Sequence, residues 1–254
     1  MFIPGLVSIT FRQLTPAEIV ALVVQAGLSA IEWGGDVHVP HGDLAAARAV
    51  RQMTIDAGLQ AAAYGSYYRV SHAETGPFEA VLESAVELGA PSVRVWAGRQ
   101  GSDIADEAYW AQVIADSQRI ADQAAAVGIR IDYEFHGNTL TDTNEAAAQL
   151  LTRVAHANVK TYWQPPRYSA LEYNLAGLDA VQSWLQNIHA FTWHRQTGER
   201  CALADGAGDW RQYLAKVAAA TPAQMKRYIL IEFVQNDEPA NFLADAQTLR
   251  TWLP

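Results

Sequence analysis

Two hydrophobic periodicities alternate along this chain. Ala-rich stretches with helical spacing end at a glycine, and a short β-branched or apolar run follows each one. Gln25-Ala26-Gly27 leads into Ser29 to Trp33, and Asp56-Ala57-Gly58 into Leu59 to Tyr64. Glu87-Leu88-Gly89 leads into Ser92 to Trp96, and Ala126-Val127-Gly128 into Ile129 to Phe135. A glycine just past a helix is the residue that closes it in the left-handed conformation. Further strands are predicted at Leu6 to Thr10, Val159 to Trp163, Ile188 to Trp193 and Tyr228 to Val234, for eight in all. Helices are predicted from Thr15-Pro16-Ala17-Glu18, where a cap residue precedes Pro, and over Thr143 to Val154, Ala176 to Leu185 and Trp210 to Ala220. Eight strand–helix units in 254 residues are the arithmetic of an α/β, closed (β/α)8 TIM barrel, read as a single domain over 1–254. An open doubly wound sheet would place a glycine-rich phosphate loop after its first strand, and the turn Ser8 to Leu14 has no glycine.

One predicted strand departs from the pattern. From Gly128 to Asn138 the chain reads G-I-R-I-D-Y-E-F-H-G-N. Ile129, Ile131, Tyr133 and Phe135 share one face, and Arg130, Asp132, Glu134 and His136 share the other. A carboxylate inside a barrel needs a cation, a metal or a proton beside it, and Arg130 is one candidate partner for Glu134. In such barrels the chemistry sits at the C-terminal ends of the strands. The residues expected there are Glu32 and His38 after strand two, Tyr64, Tyr67 and Tyr68 after strand three, and Trp96 and Arg99 after strand four. Glu134 and His136 follow strand five, Gln164 and Arg167 strand six, His189, His194 and Arg195 strand seven, and Glu232 strand eight, within I-L-I-E-F-V. Carboxylates, imidazoles and aromatic rings together suit a small polar ligand with apolar faces, such as a sugar.

Composition narrows the alternatives. The formal charge of -9 argues against a nucleic-acid partner. No apolar run approaches the roughly 18 residues that span a membrane, and Met1 to Arg12 lacks the plan of a secretory signal. A single cysteine, Cys201, leaves no intrachain disulfide and no Cys-rich metal site, so a cytoplasmic location is the expectation. Aromatic residues in the loops would allow a homo-oligomer without requiring one.

The motifs G-L-S-A-I-E-W-G-G-D, Y-E-F-H-G-N, I-H-A-F-T-W and I-L-I-E-F together resemble the xylose isomerase-like barrels, a superfamily of sugar isomerases, epimerases and inosose dehydratases, over nearly the whole chain. The resemblance implies one divalent ion (Mn2+, Mg2+, Co2+ or Zn2+) held by Glu134, Gln164, His189 and Glu232, with His194 as an alternative ligand. It implies Glu134 and Glu232 as the acid/base pair that moves a proton through an enediolate. His136, Arg167, Arg195, Trp96, Glu32 and His38 are the expected substrate contacts. Gln164 departs from the family's usual aspartate; its amide oxygen can still ligate a hard cation, without a charge. Arg167 stands where the family has a histidine and could pair with a substrate carboxylate or phosphate. The expected activity is therefore a metal-dependent isomerase or epimerase of a small sugar or sugar-like polyol. The alternatives are an inosose-type dehydratase and a non-catalytic sugar-binding barrel with a degenerate metal site. The DNA-repair endonucleases of the same superfamily need more metal ligands and a basic groove, which this acidic chain does not offer.

Overall fold

The structure is a computed structural model that describes residues 1–72, 74, 76–222 and 224–253. Along it run β1 (Phe2–Val7), α1 (Pro16–Gln25), β2 (Ala30–Gly34), α2 (Leu44–Asp56), β3 (Gln60–Arg69), α3 (Phe78–Leu88), β4 (Ser92–Trp96) and α4 (Glu107–Ala126). Then follow β5 (Arg130–Tyr133), α5 (Asn144–Val154), β6 (Val159–Trp163), α6 (Leu171–Val181) and β7 (Leu185–Ala190). A short antiparallel hairpin of β8 (Thr192–Trp193) and β9 (Arg200–Cys201) precedes α7 (Ala207–Ala220), β10 (Arg227–Ile231) and α8 (Pro239–Trp252). Among the described residues, β1 to β7 and β10 close in sequence order into an eight-stranded parallel barrel, with β10 paired back to β1. The (β/α)8 expectation is met. Among these residues no helix is long and apolar enough to cross a membrane.

The expected punctuation is present. Gly27, Gly58, Gly89 and Gly128 all adopt φ between 66 and 73°, the left-handed turn that releases the chain into the next strand. Thr15 and Glu18 form a reciprocal capping box at the start of α1. Several strand boundaries differ from expectation: β3 runs on to Arg69 and β10 stops at Ile231. β1 starts at Phe2 and ends at Val7, because Pro4-Gly5 is part of the strand and not a turn; a Cβ on Gly5 would lie 2.3 Å from Ala30 O, so glycine permits the close β1–β2 approach. The run from Ile188 to Trp193 breaks at Phe191, and its last two residues turn into the hairpin. β5 stops at Tyr133, which leaves Glu134 on the first residue of the exit, where its N–H still donates to Val95 O at 3.2 Å. Helix α6 lies upstream of its expected position, since Leu185 already belongs to β7.

The main core lies between strands and helices and contains Ile31, Trp33, Val93, Ile131, Tyr133 and Ile188 among the strand residues. A second, smaller apolar cluster of Ile3, Val7, Ala30, Ala62 and Leu230 comes from β1, β2, β3 and β10. Its strand positions place it inside the barrel. Elsewhere the strands bury charge: Glu32, Arg94, Asp132 and His189 are each 2% exposed or less. Asp132 is held by both Arg130 Nε (2.7 Å) and Nη2 (2.8 Å), so Arg130 is committed to Asp132 and is not the partner of Glu134.

Buried Asp245 on α8 provides a pH-dependent test of the packing. Burial pushes its carboxyl up to about 6, although Leu203 N–H donates to it at 2.8 Å. A raised acid binds its proton more tightly folded than unfolded, so its contribution to stability falls as pH rises from about 4 to about 6. Asp245→Asn should therefore gain on the order of 2 kcal/mol over wild type at pH 8 and little at pH 4. Urea unfolding of both proteins at the two pH values measures it, and equal gains at both would contradict the assignment.

Candidate active site

Strand parity sends one ionisable group each from β2, β4 and β7, and from the exits of β5 and β10, toward the same end of the barrel. Arg94 lies at the centre. Its Nε donates to Glu32 Oε1 at 2.8 Å and its Nη1 to Glu134 Oε2, and the three side chains are 5% exposed or less. On β3, facing Arg94 in the ladder, stands Gly65. A Cβ there would lie 2.8 Å from both Arg94 Nη2 and Glu32 Oε1, so the ion pair occupies space that any other residue would fill. The rings of Tyr67 and Trp96 flank the guanidinium at 5.2 and 5.7 Å. Trp96 Nε1 also donates to Glu134 Oε2 at 2.6 Å. One oxygen of Glu134 is thus doubly held, and Oε1 is left to face the other side.

What Oε1 faces is His189, which is fully buried. Its Nδ1 lies 2.9 Å from Gln164 Oε1, 3.2 Å from Glu232 Oε2 and 3.6 Å from Glu134 Oε1. A ring nitrogen carries at most one proton and can serve one acceptor well. Gln164 takes that bond, and the buried Glu232 Oε2 has no hydrogen bond among the described residues. Gln164 Nε2 donates to Phe135 O at 2.7 Å, which keeps the amide oxygen turned toward the cluster. Atoms of Glu134, His189 and Glu232 that could ligate lie within 4.8 Å of one another. Ligands about 2.1 Å from a shared ion sit about 3 Å apart, so three oxygens and an imidazole nitrogen at these separations fit one divalent cation. The orphaned carboxylate oxygen is the atom that most needs it. Behind the ring, His189 Nε2 lies 3.3 Å from Glu32 Oε2, an arrangement that fixes which nitrogen faces the ligand set.

The electrostatics agree with this layout. Burial alone would raise both Glu32 and Glu134; His189 and Arg94 outweigh it for Glu32 and lower its pKa, and Arg94 and His189 hold Glu134 well below the usual carboxylate range. Burial alone would strip His189 of its proton; Glu232 and Glu32 outweigh that and hold it as an imidazolium far above its ordinary value. Three carboxylates therefore face two organic cations. A divalent ion in exchange for the imidazole proton would balance the cluster.

Above the cluster a cavity of about 390 Å³ opens between Gln164, His136, Arg167, Phe191, Trp193 and Phe233. His136 stacks on Trp96 at 4.4 Å. Arg167 stacks on Trp193 with its guanidinium carbon 4.0 Å from the ring centre. Phe233, a non-glycine residue at φ 52°, separates this cavity from a smaller one of about 180 Å³ lined by Arg12, Arg200 and Glu232. Such a backbone is strained and persists where its surroundings hold it; here Phe191 and Trp193 each lie 5.1 Å from its ring.

The structure thus brings Glu134, Gln164, His189 and Glu232 to one point, with Trp96, His136 and Arg167 at the rim. Three expected substrate contacts lie elsewhere. Glu32 is fully enclosed between Arg94 and His189 and touches no cavity named here. His38 is buried against Ser8 Oγ (2.9 Å) and Leu14 O (3.1 Å), where it pins the β1 exit. Arg195 pairs with Asp209 at the start of α7 and faces a separate small cavity. The alternative ligand His194 is exposed and bonds to Thr197 within the hairpin turn. The residue missed by sequence reasoning is Arg94. Its signal was present, since a charge in S-V-R-V-W is as anomalous as Glu232 in I-L-I-E-F.

The family model described as xylose isomerase-like TIM barrel matches residues 20–251. Among solved structures, the probable 3-DHS dehydratase AsbF of Bacillus anthracis superposes with a TM-score of 0.79 at 18% identity, over 98% of this chain and 99% of that one. A D-allulose 3-epimerase from Methylomonas sp. gives 0.72 at 15% identity, over 99% and 98%. A xylose isomerase-like barrel protein from Mycobacterium smegmatis, in complex with magnesium, gives 0.71 at 16%, over 95% and 90%. At these identities the likeness is one of fold. No curated protein matches the sequence.

Removal of Arg94 should be among the most costly single changes in the chain. Arg94→Met strands two buried carboxylates, and breaking a buried ion network in this way costs about 3–5 kcal/mol. The deficit should shrink at acidic pH, where Glu32 and Glu134 can take up protons once the guanidinium no longer holds them ionised. Urea unfolding at pH 5 and pH 8 checks both statements. A loss below 1 kcal/mol at pH 8 would show that water reaches the cluster.

Proposed function

The chain belongs to the xylose isomerase-like TIM barrel family, and from that premise we propose that it is a metal-dependent isomerase of a small sugar or sugar-like polyol, with Glu232 as the proton-transferring base. The observation that carries this reading is the convergence of Glu134 Oε1, Gln164 Oε1, His189 Nδ1 and Glu232 Oε2 beneath an open cavity. A divalent ion bound by these groups would polarise substrate oxygens and stabilise the negative charge that develops when a neighbouring C–H proton is removed.

The two carboxylates are not equivalent. Glu134 Oε2 already accepts from Arg94 and Trp96, and its ionised form is strongly favoured, which makes it a good ligand and a poor base. Glu232 has neither an arginine nor an indole on it and borders the smaller cavity, so with Oε2 on the ion its other oxygen would take the proton. Glu232 would take the proton from the hydroxyl-bearing carbon next to a carbonyl and return it to the carbonyl carbon, while the hydroxyl proton passes to the former carbonyl oxygen, which converts an aldose into a ketose on one face. Epimerisation with inversion needs a second base on the opposite face, and Glu134 is badly suited to that part.

The same asymmetry supports a dehydratase as the second reading. One base removes the proton, the C–H electron pair becomes the C=C bond, and the β-hydroxyl leaves as water with that proton. Gln164 in place of a charged ligand favours neither reading, since its oxygen is held in position by Phe135.

Metal titration tests the site. The protein should take up one divalent ion per chain and release about one proton from His189 as it does so. Because His189 holds its proton well above its ordinary value, apparent affinity should climb about tenfold per pH unit below that point and level off above it. Calorimetry in buffers of different ionisation enthalpy reads the proton count, and Glu134→Ala or His189→Ala should abolish uptake. A protein that binds no Mn2+, Mg2+, Co2+ or Zn2+ would be a binding barrel and not this enzyme.

Glu232→Gln separates ligation from base chemistry. It keeps an oxygen donor and should retain the ion, while turnover of ketoses, aldoses or cyclic polyol ketones falls about 10²- to 10⁴-fold. Retained turnover in this variant would transfer the base role to another group.

A further inference from the structure

The arginines around the mouth of the barrel are not in the same state. Arg69, at the end of β3, donates to Gly98 O at 3.0 Å and lies over the Trp96 ring, and Arg99 pairs with Glu74. Arg12 is paired with Asp36, Arg200 with Asp237 and Arg195 with Asp209. Arg167 has no carboxylate partner among the described residues; its one recorded contact is with the Trp193 ring at 4.0 Å. This chain carries 27 acidic residues and 18 Lys and Arg, so carboxylate partners are plentiful. An arginine left unpaired at the rim is therefore not explained by a shortage of acids. The stack on Trp193 covers a face of the guanidinium and leaves its N–H donors, which lie in the plane, uncommitted. Arg167 and Gln164 line the same 390 Å³ cavity, so a ligand that reaches the cluster passes within its range. The acid in that lining, Asp142, is turned onto Ser102 N–H at 3.0 Å.

We propose that the substrate of this site is a polyhydroxylated acid, whose carboxylate is held by Arg167 while its hydroxyl and carbonyl end lies over Glu134, Gln164, His189 and Glu232. This rests on the reading of the preceding subsection and narrows it from sugars in general to acidic ones. A carboxylate fits better than a phosphate ester. The Arg167 guanidinium offers one positive charge and a planar fork that matches a carboxylate bidentately, whereas a phosphate ester carries close to two negative charges at neutral pH. Arg12 and Arg200 are already neutralised.

The test uses a matched trio with one carbon chain: gluconate, glucitol and glucitol 6-phosphate, titrated by calorimetry into the Mn2+-loaded protein, with metal content measured on the same samples. Gluconate should bind about ten- to a hundredfold tighter than glucitol, in line with one charge-assisted fork, and no weaker than the phosphate. Arg167→Gln, at an exposed position, should bring gluconate down to the level of glucitol with metal content unchanged. Arg195→Gln should keep the wild-type preference. Equal affinities, a phosphate preference, binding by none of the three, or a gluconate preference that survives Arg167→Gln would overturn the inference; the last would assign the carboxylate to the ion. A protein that holds one ion without charge preference leaves the enzyme reading standing and removes this one. An Arg167-dependent preference in a protein that holds no ion does the reverse.

Discussion

A guanidinium buried in the mouth of a barrel is costly unless carboxylates surround it, and the site is arranged around that demand. Arg94 cannot shed its charge, so Glu32 and Glu134 must stay ionised beside it. Their charges in turn make His189 a favourable place for a proton or a metal. The order of dependence runs from β4 outward: Arg94 fixes Glu134, Glu32 fixes the His189 ring, and Glu232 is left with an oxygen that faces His189 at 3.2 Å without a hydrogen bond among the described residues. The barrel provides the scaffold for this but not the selectivity. Much of its interior near β1, β2 and β10 is plain hydrocarbon.

Two glutamates at the exits of β5 and β10 thus receive different chemistry from their surroundings. Glu134 is clamped by a cation and an indole; Glu232 sits at the border of two cavities with Phe233 next to it. The same residue type stands in two environments, one fixed by a cation and one beside open space, and such a difference is the usual way a fold gives two carboxylates different chemistry. The rim adds a different kind of control. The aromatic group of Phe191, Trp193 and Phe233 decides how much of the mouth is continuous space, and the β8–β9 hairpin decides where Trp193 stands.

Much of this was legible in the sequence, for identifiable reasons. The four helix-ending glycines were readable because a positive φ leaves few other options, and Glu134 and Glu232 because a charge in an apolar strand has to be explained. Alternation gives the face of a strand but not its depth along the barrel axis. Glu32 was therefore expected as a substrate contact and is instead enclosed between Arg94 and His189. Arg94 escaped because attention to carboxylates as ligands passed over the cation that keeps them charged. His38 and Arg195 stand in loops, where direction comes from tertiary partners, here Ser8 and Asp209, that no local pattern announces. β1 was expected at Leu6 to Thr10 and lies at Phe2–Val7, where β10 and β2 pair with it on either side, partners that no local pattern announces.

Gly65 has a wider meaning than its size suggests. It contributes no atom to the chemistry, yet a methyl group at that position would collide with the Arg94–Glu32 pair. Positions 65, 94 and 32 therefore form one steric unit, in which an empty volume on one strand is the condition for a charge pair on two others. Across relatives of this fold, a side chain larger than hydrogen at the equivalent of position 65 should accompany the loss or relocation of the arginine. A search for kindred sites guided by reactive residues alone would overlook the marker, because it consists of space.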